Sequence, residues 1–226
     1  KNNIRPYTYF TGEYDGGGYS INNLTINRPE TTKYIGFFGS ISGATIRNLS
    51  LTNDNTTAKF VTGSLVGYVT STTIDNCSVS GSVTASSSYL GGLVGYINNS
   101  TIRNSYSTAT ENGGSGDNVG GLAGYISTNS TILNSYSTGS VVATGSYRGG
   151  LVGHNLNSTI TDSFYDATTS GQSDTGKGTG KTTAQMKTLA TFTDTATTGL
   201  STSWDFDTIW DIDNTSTINS GYPYLR

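Results

Sequence analysis

The chain has 226 residues, of which 33% are hydrophobic and 12% charged, with 30 glycines, 15 tyrosines, three prolines and a formal net charge of −3. That balance is too poor in apolar and charged residues for long helices, too rich in tyrosine and too poor in proline for disorder, and without the basic clusters of a nucleic-acid binder. One cysteine, Cys77, and one histidine, His154, exclude an internal disulfide, a cysteine-based metal site and any two-histidine metal motif, so no cofactor is expected.

No apolar stretch approaches the roughly 18 residues of a membrane span, and the first residues hold no basic region followed by an apolar run. The expectation is a soluble piece with no direct membrane insertion, any signal or anchor lying outside it.

Near the start, Ser20-Ile21-Asn22-Asn23 is the first copy of a segment that recurs as Thr45-Ile46-Arg47-Asn48, Thr73-Ile74-Asp75-Asn76, Thr101-Ile102-Arg103-Asn104, Thr131-Ile132-Leu133-Asn134 and Thr159-Ile160-Thr161-Asp162. Its isoleucines stand at 21, 46, 74, 102, 132 and 160, in steps of 25, 28, 28, 30 and 28 residues. A second segment precedes each full copy: Gly36-Phe37-Phe38-Gly39-Ser40, Ser64-Leu65-Val66-Gly67-Tyr68, Gly92-Leu93-Val94-Gly95-Tyr96, Gly121-Leu122-Ala123-Gly124-Tyr125 and Gly150-Leu151-Val152-Gly153-His154. A period of about 28 residues made of short apolar stretches without helical periodicity fits one coil of a parallel β-helix, a unit that buries its face only by stacking on copies of itself. The fold class expected over residues 1–166 is therefore an all-β solenoid of about six coils.

Strand alternation assigns the side chains. The isoleucines point inward, and the threonines before them and the variable residues after them point to solvent. Asn23, Asn48, Asn76, Asn104 and Asn134 then mark a corner, because asparagine tolerates the left-handed conformation and its amide bonds to copies above and below. Beyond that corner, Leu24 and Ile26, Leu49 and Leu51, and Cys77 and Val79 should face the core, with Cys77 acting as a small buried hydrophobe. At Ser105, Ser107, Ser135 and Ser137 the same phase would bury serines. Either they bond to backbone or water, or the later coils shift phase so that Tyr106, Tyr136 and Phe164 fill the core; the second is preferred. Gly39, Gly67, Gly95, Gly124 and Gly153 are assigned to another corner, through positive φ or close backbone approach. The next column contains Tyr68, Tyr96 and Tyr125, a candidate ligand surface that alignment of repeats also explains; His154 there is a substituted tyrosine position.

The repeated Gly-Leu-Val-Gly-Tyr segment resembles the GLUG motif of large bacterial and archaeal surface proteins, with Ser64 and Phe37 departing from it in the first two full coils. The opening Phe10–Leu24 and the closing Thr182–Leu225 are similar to segments that flank such arrays. The resemblance implies a right-handed β-helix within a long secreted adhesin, haemagglutinin-like exoprotein or immunoglobulin-protease precursor, in which the repeats are not the catalytic part. It brings no functional residues with it.

The carboxylates offer little chemistry. Asp75 stands between Arg47 and Arg103 in an outward charge ladder. Asp205, Asp207, Asp211 and Asp213 fall on the solvent side of aromatic strands, without the glycine-bearing loop of known calcium motifs. The outward threonine column lacks the second regular hydroxyl column that an ice-binding face needs. Residues 167–226 read as a Gly/Ser/Thr linker, one helix over Thr182–Ala190 with Met186 and Leu189 on one face, and an aromatic-rich cap packed on the last coil. The function expected is a non-catalytic extracellular or cell-surface module acting in adhesion, as stalk or as filament component. Its partners would be surface glycans or proteins, or further domains of a larger parent chain. The alternative is a carbohydrate-active enzyme, a polysaccharide lyase or hydrolase, on the same fold.

Overall fold

The computed structural model describes residues 8–30, 33–86 and 88–226. Strands of successive turns lie parallel and in register, and together they form an all-β parallel solenoid of about five turns with a period near 28 residues. The isoleucine sheet stacks Thr45–Ala58, Thr73–Ala85, Thr101–Arg103, Thr131–Leu133 and Thr159–Thr161. The tyrosine sheet stacks Phe38–Ser42, Val66–Thr70, Val94–Asn98, Ala123–Ser127 and Val152–Leu156. A third sheet of two- and three-residue strands runs from Tyr34–Ile35 to Arg148–Gly149. Ile46, Ile74, Ile102 and Ile132 stand over one another and are fully buried, with Leu65, Leu93, Leu122 and Leu151 in the same core. Parallel strands pack sides of equal character over one another, so an inward isoleucine in each copy of the repeat builds a continuous apolar column.

Asn48, Asn76, Asn104, Asn134 and Asp162 turn the chain at φ of 54°, 51°, 49°, 46° and 47°. The Asn76 amide donates to Asn48 Oδ1 at 3.3 Å, and that of Asn104 donates to Asp75 Oδ1 at 3.0 Å.

The first coil slips relative to the sequence alignment. Tyr14, not Ile21, lies beside Ile46, and Ile21 lies beside Leu51. Asn23, at φ 59°, therefore sits with Asn53, at φ 53°, in a second corner, and Ile26 pairs with Thr56. The register shifts between Asp15 and Tyr19, where Gly17 and Gly18 take φ of 63° and 77°.

The serines do face the interior, and the phase does not shift. Ser105, Ser107, Ser135 and Ser137 are fully buried. Ser105 Oγ donates to Arg103 O at 2.7 Å and accepts from Cys77 N at 3.1 Å; Ser135 Oγ donates to Leu133 O at 2.8 Å and accepts from Ser105 N at 3.2 Å. Ser163 continues the ladder upward, donating to Thr161 O at 2.7 Å and accepting from Ser135 N at 3.2 Å. The Ser105, Ser135 and Ser163 hydroxyls thus each satisfy two backbone groups that the corner takes out of the strand ladder, which is what a buried polar side chain requires. Ser107 Oγ, in contrast, accepts only from Ala109 N, at 3.2 Å, and Ser137 Oγ has no partner among the described residues. Cys77 occupies this column and directs its thiol to Asp75 O at 3.3 Å; burial pushes that thiol up to about 12.

Tyr106, Tyr136 and Phe164 point outward, where the C-terminal segment covers them. The aromatic tail is thus a flank cover rather than only an end cap. Trp204 and Trp210, 4.8 Å apart, pack with Tyr136, Phe164, Met186 and Phe192 in a second core. Trp204 Nε1 donates to Asp162 O at 3.0 Å, and Tyr222 OH to Asp166 Oδ2 at 2.7 Å. On the last coil itself, Thr179–Lys181 pairs in parallel with Phe164–Asp166. The single helix expected over 182–190 is two short ones, Thr183–Met186 and Ala190–Thr193. Thr182 caps the first in a capping box with Gln185; Met186 is buried, while Leu189 begins the second helix and is exposed.

Candidate functional site: an aromatic stripe on the tyrosine sheet

The outward column of the tyrosine sheet runs Ser40, Tyr68, Tyr96, Tyr125, His154 in strict register. Neighbouring rings meet edge to face: Tyr68 and Tyr96 at 5.2 Å and 81°, Tyr96 and Tyr125 at 4.9 Å and 90°, Tyr125 and His154 at 5.1 Å and 85°. This is a favoured arrangement for ring quadrupoles. With strands about 4.8 Å apart, the column from Tyr68 to His154 is about 14 Å long.

A second rank of rings, which the repeat alignment did not bring out, lies against the first. Tyr34 stacks on Tyr68 at 4.8 Å and 24°, Tyr89 on Tyr96 at 5.5 Å and 17°, and Tyr147 on His154 at 4.2 Å and 4°. The available signal was an aromatic seven residues before the column position, as in Tyr89 and Tyr96 or Tyr147 and His154. At the equivalent place before Tyr125 the chain carries Asn118, whose Oδ1 meets His154 Nδ1 at 3.2 Å.

The glycine column makes this proximity possible. Gly39, Gly67, Gly95, Gly124 and Gly153 lie inside extended strands and none has a positive φ, so they do not form a corner, and of the two reasons expected for them the left-handed one does not apply. Close approach is the reason for them. A Cβ on Gly95 would lie 2.8 Å from Gly67 O and Thr62 N, and one on Gly124 would lie 2.7 Å from Leu90 N. Glycine therefore lets the tyrosine strand lie against the backbone of the short sheet that carries Tyr34, Tyr89 and Tyr147.

Two residues along each strand, a polar column flanks the rings: Ser42, Thr70, Asn98, Ser127 and then Leu156. Asn98 Nδ2 donates to Thr70 Oγ1 at 3.4 Å, and Ser127 Oγ to the Tyr96 hydroxyl at 3.2 Å. Neither column contains Asp, Glu, Lys or Arg. Burial, with the nearby Tyr96 and Tyr89 hydroxyls, raises the Tyr125 hydroxyl above the usual phenol value. Partial burial, and next the Lys177 ammonium, lower His154 below its ordinary value.

The carboxylates are occupied by structural partners. Asp75 holds Arg103 at 2.8 Å, but Arg47 turns the other way, to Asp15 at 2.9 Å and Glu13 at 2.7 Å, so the expected three-member ladder is two separate clusters. The C-terminal acids lie in loops around the two-residue strand Trp210–Asp211. Asp213 accepts from the Thr215, Thr217 and Ile218 backbones and from both threonine hydroxyls, which together hold it well below the carboxylate range. Asp205 is likewise lowered, by the Thr208 hydroxyl and backbone. A cavity of about 730 Å³ at the last coil includes one acid, Asp162, whose carboxylate accepts from the Ser201 backbone and hydroxyl.

Glu111 is an acid the sequence reading passed over. It is fully buried between Val83 and Val141 of the adjacent turns, with Ser107 beside it, and burial raises it well above the ordinary glutamate value.

Comparison with known proteins agrees with this architecture. The family model described as the GLUG motif matches residues 60–84, 86–110 and 115–142, so the chain carries GLUG-motif repeats. It is 44% identical over 106 residues to a protein of Evansella cellulosilytica provisionally named a Gly-rich membrane protein, a match covering 44% of this chain and 11% of that protein. It is 40% identical over 65 residues to halomucin of Haloquadratum walsbyi, covering 28% of this chain and 1% of that protein. The matches thus span about a ninth or less of these relatives' length. A crystal structure from Bacteroides ovatus, provisionally described as an immunoglobulin A1 protease, superposes on all of this chain and 82% of its own at a TM-score of 0.67 and 20% identity, a likeness of fold.

Proposed function

We propose that this chain is a non-catalytic module of an extracellular or cell-surface protein, a stiff solenoid that acts as stalk or filament component and uses its aromatic stripe for adhesion. The observation that carries the reading is the uncharged double rank of rings on the tyrosine sheet, from Tyr34 to His154. Rings that expose apolar surface beside hydroxyls and amides suit contact with an amphipathic partner. Support for a non-catalytic role comes from the acids. Glycoside hydrolysis needs a pair of carboxyl groups about 5 to 10 Å apart flanking the scissile bond. Here Asp75, Asp162, Asp205 and Asp213 are each taken up by bonds to an arginine or to loop donors. The relatives' names, a membrane protein and a halomucin, favour a surface location within a larger parent chain.

The test is adhesion under flow. Beads coated with the protein should be retained on glycan-bearing cell surfaces, and beads carrying the Tyr96→Ala, Tyr147→Ala double variant should not. Equal retention of both would remove the stripe from the adhesive role.

A further inference from the structure

The adhesive reading leaves the partner's chemistry open, and the stripe itself restricts it. We propose that the tyrosine sheet binds a neutral polysaccharide chain lying along the solenoid axis, its sugar rings against the aromatic ranks and its hydroxyls on Thr70 and Asn98. The inference rests on the adhesive reading and names the ligand class of that site.

Three features lead there. The first is the pairing of columns. A pyranose has an apolar C–H face with partial positive charge and a rim of hydroxyls, which match the negative face of an aromatic ring and an adjacent row of amide and hydroxyl groups. That combination is built into two successive turns, Tyr68 with Thr70 and Tyr96 with Asn98, while in the next turn Ser127 is buried and bonds to the Tyr96 hydroxyl beside Tyr125.

The second is charge. An anionic polymer needs cations, and neither column has one except His154 at one end, whose protonation is disfavoured by burial and by the Lys177 ammonium. Of the cations beside the ranks, Lys177 is tied to the Arg148 and Gly153 carbonyls and lies 3.8 Å from Asp174, Arg148 next to Tyr147 donates to the Ala143 carbonyl at 2.8 Å, and Lys33 precedes Tyr34 at the far end.

The third is a comparison within the chain. On the isoleucine sheet, the outward residue after each isoleucine changes freely, from Arg47 to Asp75, Arg103, Leu133 and Thr161. On the tyrosine sheet, the outward column stays aromatic over four turns. The outward threonine column Thr45, Thr73, Thr101, Thr131 and Thr159 persists as well, so repeat alignment accounts for persistence; it does not account for the second rank of rings, Tyr34, Tyr89 and Tyr147, which stands outside the repeated segments. A protein partner would seek a pocket for a central anchor. The rings here form a shallow repeating strip, suited to a polymer whose units are about as long as one turn is tall and whose weak contacts add along the axis.

Titration calorimetry on the full chain tests this, with cellohexaose, mannohexaose and chitohexaose as neutral probes and polygalacturonate as the charged one. At least one neutral hexasaccharide should bind, with an affinity that changes less than about twofold between roughly 50 and 500 mM salt. Tyr147, 48% exposed, can be removed without opening the core, and Tyr147→Ala should weaken binding about tenfold, as should Tyr96→Ala. Circular dichroism melts confirm that each variant is folded. Binding of none of the neutral probes, binding of polygalacturonate alone, or unchanged affinity in both variants would overturn the inference. Bead adhesion that persists on enzymatically deglycosylated cells would also overturn it while leaving the adhesive reading intact.

Discussion

Replacing Glu111 by valine should change the pH dependence of stability more than any other single substitution in the solenoid. Glu111 pairs in register with Val83 below and Val141 above, so valine is the residue its own column prescribes. Its carboxyl is fully buried, and no ionised group contributes to its shift; burial raises it, with smaller opposing effects from its own backbone and the Ser107 hydroxyl. The folded chain therefore holds a proton that the unfolded chain gives up near pH 4.5. Because the folded value is the higher, Glu111 contributes fully at acid pH, and stability falls as pH rises from the ordinary glutamate value toward the raised one. The slope is at most one proton, or about 1.4 kcal/mol per pH unit. Urea unfolding of the wild type, Glu111→Val and Glu111→Gln between about pH 4.5 and 8 measures it. The wild type should lose stability across that range relative to both variants, and Glu111→Val should be the most stable at the alkaline end. Parallel curves for the three proteins would refute the assignment of a buried neutral acid.

Ser135→Ala removes a hydroxyl that serves Leu133 O and Ser105 N, and should cost about 1 to 3 kcal/mol by chemical denaturation, whereas Ser135→Thr should recover part of it. A near-neutral alanine variant would contradict the hydroxyl ladder. Gly95→Ala puts a methyl group 2.8 Å from two backbone atoms, so a loss of about 1 to 3 kcal/mol is expected, and a silent substitution would contradict the close approach of the sheets. Deleting residues 182–226 uncovers Tyr106, Tyr136 and Phe164, and the truncated chain should bind an apolar dye and self-associate in size-exclusion chromatography. A stable monomer would mean that the tail does not protect the flank.

The period, the isoleucine column and the fold class were legible because every turn spells them again. The first coil differs from the repeat alignment for a physical reason: the turn it packs on has two corners of similar spelling. Ile46-Arg47-Asn48 and Leu51-Thr52-Asn53 both place an inward aliphatic two residues before a left-handed asparagine. Ile21-Asn22-Asn23 fits either, and the turn at Gly17 and Gly18 assigns it to the second. The serine ladder was hidden by the assumption that inward means apolar, whereas the corner leaves Ser105 N and Arg103 O needing partners. The flank at Tyr106, Tyr136 and Phe164 was hidden because alternation separates inward from outward but not solvated from covered. Large outward aromatics in consecutive turns, with Trp204 and Trp210 further along the chain, were the signal for it. In the stripe, Tyr68, Tyr96 and Tyr125 were legible from the motif. Tyr34 and Tyr89 were not, because they come from the short strands and loops, where the repeat is least regular.

Hydrogen–deuterium exchange of the full chain, with and without a saturating neutral hexasaccharide, tests most directly the claim that the tyrosine sheet is the contact surface. Added protection should fall on Val66–Thr70, Val94–Asn98, Ala123–Ser127 and Val152–Leu156, and leave Thr101–Arg103 and Thr131–Leu133 unchanged. Protection confined to the cavity around Asp162 and Ser201, or absent from the tyrosine strands, would contradict it.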